Sequence, residues 1–241
     1  MSGKDTISMI QAPSGVKHSL FGTIGTSIAN APLMAELPKP FRPMLADEVK
    51  RPFHKPGWVY EEKYDGYRML AYKDGDRVRL VSRNLKDFTR QFSEVAEALS
   101  GLRAKTLVLD GEIAVFDEDL VSHLGYLRGA PAGKILTPPV FIAFDCLFLR
   151  GKDLMGEPLR RRRSVLEREV RGAAGPIILA RRLAGNGLQA WQEVVAHGWE
   201  GMVAKDPGSV YQPGVRTASW IKVKHKVRIG WPGEGTEYTR G

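Results

Sequence analysis

The sequence predicts an α+β fold made largely of antiparallel sheet, and three observations carry this. Candidate strands outnumber candidate helices. An Asp-Gly turn at Asp74-Gly75 joins two alternating runs, a strong hairpin signal. Val140–Leu149 is a nearly unbroken apolar run rich in aromatic and β-branched residues, the pattern of a buried strand. Hairpin-type connections favour antiparallel pairing, and strands accompanied by separate helices give the α+β class.

Taken in order, residues 1–37 are rich in Ser, Gly, Thr, Ala and Ile and sustain neither a strand nor a helix period, so they predict a tail or arm. Pro38, Pro40, Pro43, Pro52 and Pro56 then punctuate an extended segment ending at Trp58-Val59-Tyr60. Tyr67–Tyr72 and Arg77–Val81 form the hairpin around Lys73-Asp74-Gly75-Asp76. Phe92, Val95, Ala96 and Leu99 recur at helical spacing. Thr106–Phe116 is a strand broken at Asp110-Gly111, and the buried strand Val140–Leu149 follows. Pro158 opens a helix as a first-position proline would, with Leu159, Leu166 and Val170 on one face. Arg160–Arg163 straddles that face and is expected to be mainly solvated, with some guanidiniums snorkelling or pairing. Ile177–Leu183 is a strand candidate. Asn186 caps a helix carrying Leu188, Trp191, Val194 and Val195 that stops at His197-Gly198. Met202–Lys205 and Trp220–Lys224 are short strands. The sequence contains no internal repeat, heptad pattern or low-complexity block.

Composition narrows the function. A chain of 241 residues, 43% hydrophobic and 26% charged, has a globular balance and the length to bury a core without staples. Its single cysteine, Cys146, excludes an intrachain disulfide and a multi-cysteine zinc site, and fits a reducing compartment. No apolar run approaches the roughly 18 residues of a membrane span. The N-terminus lacks the basic start and apolar core of a signal peptide. A net charge of +9 points to a polyanionic partner, nucleic acid or nucleotide. The sequence has no P-loop, no Rossmann glycine fingerprint and no Gly-x-Ser-x-Gly elbow. His18, His54, His123, His197 and His225 are scattered without metal-ligand spacing. A nucleotide would therefore be held by side-chain charges and strand ends.

Such charges recur at strand ends. In Glu61-Glu62-Lys63-Tyr64-Asp65-Gly66-Tyr67-Arg68 a lysine precedes a tight Asp-Gly turn, and an arginine opens the next strand. A lysine amine becomes a nucleophile when nearby cations or desolvation free its lone pair. Taken alone, this pattern is also that of an ordinary surface hairpin. Ser82-Arg83-Asn84 ends the hairpin, Asp110-Gly111-Glu112 interrupts an apolar strand, and Phe144-Asp145 sits in the most apolar one. Glu200-Gly201-Met202-Val203-Ala204-Lys205 places a carboxylate and an amine at opposite ends of a short strand. Trp220-Ile221-Lys222-Val223-Lys224 points two lysines to one face.

Together, in this order and spacing, these clusters resemble five of the six motifs of the covalent nucleotidyltransferases: ATP-dependent DNA ligases, RNA ligases and capping enzymes. The resemblance runs from about Pro43 to Lys224. Arg42-Pro43-Met44-Leu45-Ala46, Gly57-Trp58, Ser82-Arg83-Asn84 and Tyr211-x-Pro-Gly-x-Arg216 are most similar to bacterial ATP-dependent DNA ligases of the end-joining type. This implies two mainly antiparallel sheets flanked by helices with an ATP pocket between them, residues 38–226 forming the adenylation domain. Lys63 would attack the α-phosphorus of ATP, expel pyrophosphate and form lysyl-AMP, which then passes to a DNA 5′-phosphate. Glu61 would face the adenine amino edge, Tyr64 would contribute backbone and Arg68 would contact ribose. Arg83 would reach phosphate, Glu112 ribose or metal, and Phe144 would stack on adenine. Glu112 and Glu200 would hold Mg²⁺ or Mn²⁺. Lys205, Lys222 and Lys224 would neutralise phosphate, the last two also helping to free the lone pair of Lys63. Asp145 and Cys146 are expected to be structural.

The resemblance further implies a monomer working on nicked double-stranded DNA in DNA repair, in the bacterial cytoplasm at the nucleoid. One departure stands out. Too few residues follow Lys224 for the OB domain and sixth motif of a complete ligase, since an independent domain takes at least about 50. Residues 227–241 are expected to be a tail, self-adenylation to be weak, and a separate OB-fold or end-joining protein to be a partner. Two alternatives remain open on the sequence: a nucleic-acid or complex-binding module with a vestigial nucleotide pocket, and an RNA ligase or capping-type enzyme.

Overall fold

The computed structural model describes residues 36–129, 135 and 137–225. The expected N-terminal tail, apart from Glu36 and Leu37, and the expected C-terminal tail lie outside the described residues. The elements run β1 (Leu45–Val49), β2 (Val59–Glu62), β3 (Tyr67–Asp74), β4 (Arg77–Ser82), α1 (Ser93–Ser100), β5 (Thr106–Ala114) and the single turn α2 (Leu124–Leu127). They continue as β6 (Val140–Leu149), β7 (Lys152–Asp153), α3 (Leu159–Val170), β8 (Ile177–Leu179), α4 (Gly187–Ala196), β9 (Gly201–Lys205) and β10 (Arg216–Lys224). They form a small sheet, β1-β10-β9-β2, and a large one, β4-β3-β5-β6-β7, with β8 also on β6. As the sequence predicts, most pairings are antiparallel; β1 on β10 and β8 on β6 are parallel.

Strand alternation builds three apolar layers. On β3, Met69 and Ala71 face outward toward α1 and α3, joining Leu99, Leu107, Phe141 and Leu166. Leu70 and Tyr72 face inward and meet Val108, Ile142, Phe144 and Trp220 between the sheets. Behind the small sheet, Tyr60, Met202, Ala204 and Val223 pack on Ala190 and Val194 of α4. Period-2 geometry therefore turns Glu61, Val203, Lys205, Trp220 and Lys222 toward the space between the sheets.

Several sequence expectations need correction. β1 was expected only as extended chain; it is an edge strand whose partner β10 lies far away in sequence. β5 is not broken at Asp110-Gly111 but shifts register there against β6. A Cβ at Gly111 would fall 2.5 Å from the Phe141 ring, so the glycine admits that ring into the sheet. Pro158 is the N-cap of α3, one residue before the helix, with φ −63° and ψ 147°. The strand from Ile177 stops at Leu179 because the backbone then changes partners. Glu62 N–H donates to Arg181 O at 3.2 Å and Leu183 N–H to Tyr60 O at 2.9 Å, tying this segment to β2. Asn186 does cap α4, its Oδ1 accepting from Leu188 N–H at 2.9 Å. The buried face of α4, however, is Gly187, Ala190 and Val194, while Leu188 and Val195 are exposed.

The arginine run of α3 departs furthest from expectation. Arg160 and Arg161 are solvated, but Arg162 and Arg163 are buried. Arg162 makes a two-point pair with Asp145, at 2.9 and 2.8 Å, and also donates to Ser209 O at 2.9 Å. Arg163 donates to Glu61 at 3.3 Å, Glu167 at 3.0 Å and Ala180 O at 2.7 Å. A buried guanidinium needs acceptors for its donors, and these come from β6, β2, α3 itself and the loops at Ala180 and Ser209.

Candidate active site

Two tight backbone approaches set the site. Gly66, in the turn after Lys63, has no room for a Cβ, which would meet Ile113 O at 2.3 Å. A Cβ at Gly201, next to Glu200, would meet Val223 O at 2.1 Å. These contacts press the Lys63 turn against β5 and the Glu200 turn against β10. Lys63 N–H donates to Gly201 O at 3.0 Å, which brings both turns to one end of the small sheet. The hydroxyl of buried Ser122 accepts from Asp65 N–H at 2.8 Å and fixes the turn from the other side.

A cavity between the sheets is lined by Glu61, Lys63, Tyr64, Arg68, Arg83, Glu112, Phe144, Lys205 and Lys222, all expected from the sequence. Glu200 and Lys224 are not in its wall. They lie at its edge, Glu200 through its ion pair with Lys63 and Lys224 through Glu48. Leu45, Ala46, Val203, Arg216 and Trp220 also line it. Val203 and Trp220 were available to sequence reasoning, because each shares a face with an expected lysine two residues away. Leu45 and Ala46 were marked only by the motif resemblance, since β1 carries no alternation strong enough to place them.

Every expected phosphate-facing cation except Arg83 holds an internal acceptor. Lys63 Nζ donates to Glu200 Oε1. Lys205 Nζ donates to Glu61 Oε2 at 2.5 Å, with Arg163 on the other carboxylate oxygen. Arg68 makes two 2.6 Å bonds to buried Asp110, and the Tyr211 hydroxyl donates to the same carboxylate at 2.6 Å. Lys222 and Lys224 share Glu48, at 3.0 and 3.9 Å, a carboxylate that no local pattern marks. Phe144 is 8% exposed, with the Arg68 guanidinium carbon 4.6 Å and Lys205 Nζ 4.5 Å from its ring centre. Cations over a ring face are attracted by its quadrupole. Tyr64 does more than offer backbone, since its hydroxyl accepts from Arg181 N–H at 2.9 Å.

Burial sets the protonation of the carboxyls. Desolvation pushes Glu112 up to about 8, with Arg68 and Lys63 pulling the other way. Glu200 is raised by the same cause against the pull of Lys63, and its Oε2 is buried with no partner. Burial drives Lys205 below the usual ammonium range, with Glu61 opposing. Glu48, held by Lys222, is lowered. Among the described residues no group of three or more His, Cys, Asp or Glu could hold a metal ion by itself. Mg²⁺ does not require one, because it binds through one or two carboxylates plus waters and substrate phosphates. Glu200, with its unpartnered oxygen, and Glu112 fit that donor set.

A lysine flanked by buried carboxylates and further lysines, in a cleft between two sheets, defines a domain of the nucleotidyltransferase class. The sequence then gives the family: residues 43–224 match the ATP dependent DNA ligase domain, and the chain belongs to that family. The multifunctional non-homologous end joining DNA repair protein LigD of Mycobacterium tuberculosis H37Rv is 38% identical over 168 residues, 70% of this chain and 22% of that protein. DNA ligase 2 of Thermofilum pendens is 31% identical over 238 residues, 88% of this chain and 40% of that protein. A solved mycobacterial DNA ligase D complexed with ATP and MES superposes with a TM-score of 0.67 at 36% identity, covering 78% of this chain and 61% of that one. The chain thus spans less than half the length of these two curated relatives. No helix among the described residues is long and apolar enough to cross a membrane.

Proposed function

We propose that this chain performs the nucleotidyl transfer of an ATP-dependent DNA ligase, with Lys63 as nucleophile and nicked duplex DNA as final acceptor. The observation that carries this is the placement of Lys63 Nζ in the cleft, paired with a buried carboxylate and ringed by cations suited to a triphosphate. In the first step Lys63 gives up a proton, its lone pair attacks the α-phosphorus, the nitrogen–phosphorus bond forms and pyrophosphate leaves. Glu200 Oε1, paired with Lys63 Nζ, would orient the amine, and the proton would pass to solvent. Lys222 and Lys224 would turn from Glu48 to the phosphates, and Arg83 would meet them at the cleft mouth. Arg68, locked by Asp110, would contact the ribose, and Phe144 would offer an apolar face to the base. Glu200 and Glu112 would hold Mg²⁺ or Mn²⁺, which when bound supplies charge neutralisation for the departing pyrophosphate. In the later steps a 5′-phosphate at the nick takes the AMP, and the 3′-hydroxyl displaces it to seal the strand.

Intact-mass spectrometry after incubation with ATP and Mg²⁺ tests the first step. The chain should gain one AMP, and Lys63→Ala should gain none. AMP retained by Lys63→Ala would remove Lys63 as nucleophile. Labelling by GTP in place of ATP would favour a capping-type enzyme.

A further inference from the structure

Lys63 stands just past the end of an edge strand. β2 is the outermost strand of the small sheet and stops at Glu62. Toward β9, the Lys63 N–H donates to Gly201 O. Along the outer edge of β2 runs the chain at residues 181–183. Leu183 N–H donates to Tyr60 O at 2.9 Å, and Glu62 N–H donates to Arg181 O at 3.2 Å. Beyond Glu62 the ladder turns to a side chain, where Arg181 N–H donates to the Tyr64 hydroxyl at 2.9 Å. The main chain of Arg181 therefore holds both neighbours of the nucleophile, Glu62 and Tyr64.

The side chain of Arg181 extends this hold to the partner carboxylate. Its guanidinium lies 3.7 Å from Glu62 Oε2 and 4.6 Å from the Trp199 ring centre. Trp199 is the residue before Glu200, and it is itself fixed. Its ring stacks on His197, with centres 4.4 Å apart and planes 9° from parallel. Its N–H donates to Val194 O at 3.1 Å, and its carbonyl accepts from His225 Nδ1 at 3.2 Å. Arg181 thus reaches from the residue preceding the nucleophile to the residue preceding the nucleophile's partner. It does so in the layer behind the small sheet, where Tyr60 and Trp199 pack, and it does not line the cleft. The guanidinium is half exposed, so its ion pair contributes little to stability. Its effect is on geometry. Lys63 and Glu200 meet across two turns, and a displacement of about 1 Å at reacting atoms costs up to about 100-fold in rate.

We propose that Arg181 is a positioning residue for lysyl-AMP formation, clamping the Lys63 and Glu200 turns together from the face of the sheet opposite the nucleotide. The inference rests on the nucleotidyl transfer proposed above. Arg181 acts through Lys63 and Glu200 and touches neither ATP nor its phosphates, so its loss should slow the attack and leave nucleotide binding alone.

The test uses Arg181→Met, which keeps the stem and the backbone bonds and removes the guanidinium. Single-turnover lysyl-AMP formation is followed over a range of ATP concentrations with Mg²⁺, for the variant and the parent. The rate constant at saturating ATP should fall about 10- to 100-fold. The half-saturating ATP concentration should stay within about twofold of the parent's, since nucleotide binding is untouched. The variant should still end with one AMP per chain, which shows that it is folded throughout. A parent-like rate constant overturns the clamp, as does a rise in half-saturating ATP at an unchanged rate constant. A lower final AMP per chain at an unchanged rate constant makes Arg181 merely structural and also overturns it. In each of these cases the ligase function stands. If the parent itself takes up no AMP on Lys63, the nucleotidyl transfer fails and the clamp with it.

Discussion

Glu62 offers the sharpest quantitative test of the fold, because strand alternation puts it where a carboxylate should not be. It precedes the nucleophile on β2, where alternation turns its side chain with Tyr60 toward the layer behind the small sheet, although the residue also borders the cleft. It is 3% exposed, its Oε1 has no partner, and its nearest cation, Arg181, is 3.7 Å from Oε2. Burial raises its carboxyl from 4.5 to about 7, with Arg181 and Tyr64 opposing. For a carboxyl raised by folding, the native state holds the proton more tightly than the unfolded chain. This stability is therefore full below about 4.5 and is lost as pH rises toward about 7. A shift of about 2.5 units at about 1.4 kcal/mol each gives about 3 kcal/mol lost between pH 4 and pH 8. Glu62→Gln keeps the shape and removes the titration. Whatever the swap costs at all pH values cancels when its stability relative to the parent is compared at the two. By urea unfolding the variant should gain about 3 kcal/mol on the parent between pH 4 and pH 8. By thermal unfolding this is about 6–12 °C for a chain of this size. A difference that stays flat across this range would show that Glu62 is ionised and paired throughout, and would refute the placement of its side chain.

Two further substitutions probe the buried charges. Arg162→Met should cost about 3–5 kcal/mol in urea unfolding, because it strands Asp145 in the core, and adding Asp145→Leu should recover most of that loss. Tyr211→Phe removes a donor from Asp110 and an acceptor from Met44 N–H, which bonds it at 3.1 Å. It should cost about 1–3 kcal/mol and raise the KM for ATP more than it lowers kcat, since Arg68 loses part of its anchor.

How much of this was legible in the sequence depends on the range of the signal. The Asp74-Gly75 hairpin, the Asn186 cap and the apolar strand β6 are written in adjacent residues, and the structure bears them out. The nine expected residues that line the cleft were legible through the order of the motifs: Lys63, Tyr64 and Arg68 flank Gly66, Glu112 follows Gly111, and Lys205 and Lys222 share strand faces, whereas Phe144 lies in the middle of β6. What failed was non-local. Arg162 and Arg163 look like a solvated run because their partners Asp145 and Glu61 lie on other elements. β1 looks like loop because its strand partner among the described residues, β10, lies far away in sequence. Glu48 carries no local signal, and the side of the sheet Glu62 faces follows only once β2 is known to run Val59–Glu62.

The pairing of cleft cations with internal carboxylates decides which of them can serve a triphosphate. Glu61 and Asp110 are almost wholly buried, so releasing Lys205 or Arg68 would leave Glu61 with Arg163 alone and Asp110 with the Tyr211 hydroxyl, a loss of about 1.5–3 kcal/mol for each hydrogen bond to a charged group. Glu48 is half exposed, so releasing Lys222 and Lys224 leaves a carboxylate that water solvates, and an exposed pair is worth at most about 1 kcal/mol. The lysines of β10 are therefore the mobile charges, and Lys205 and Arg68 the fixed frame. Lys63 falls with the frame on this measure, since its partner Glu200 is also buried. A substrate phosphate draws first on the cations that cost least to free. In the proposed reaction, freeing Lys63 from buried Glu200 would need a second cation at that carboxylate, which Mg²⁺ would supply when bound.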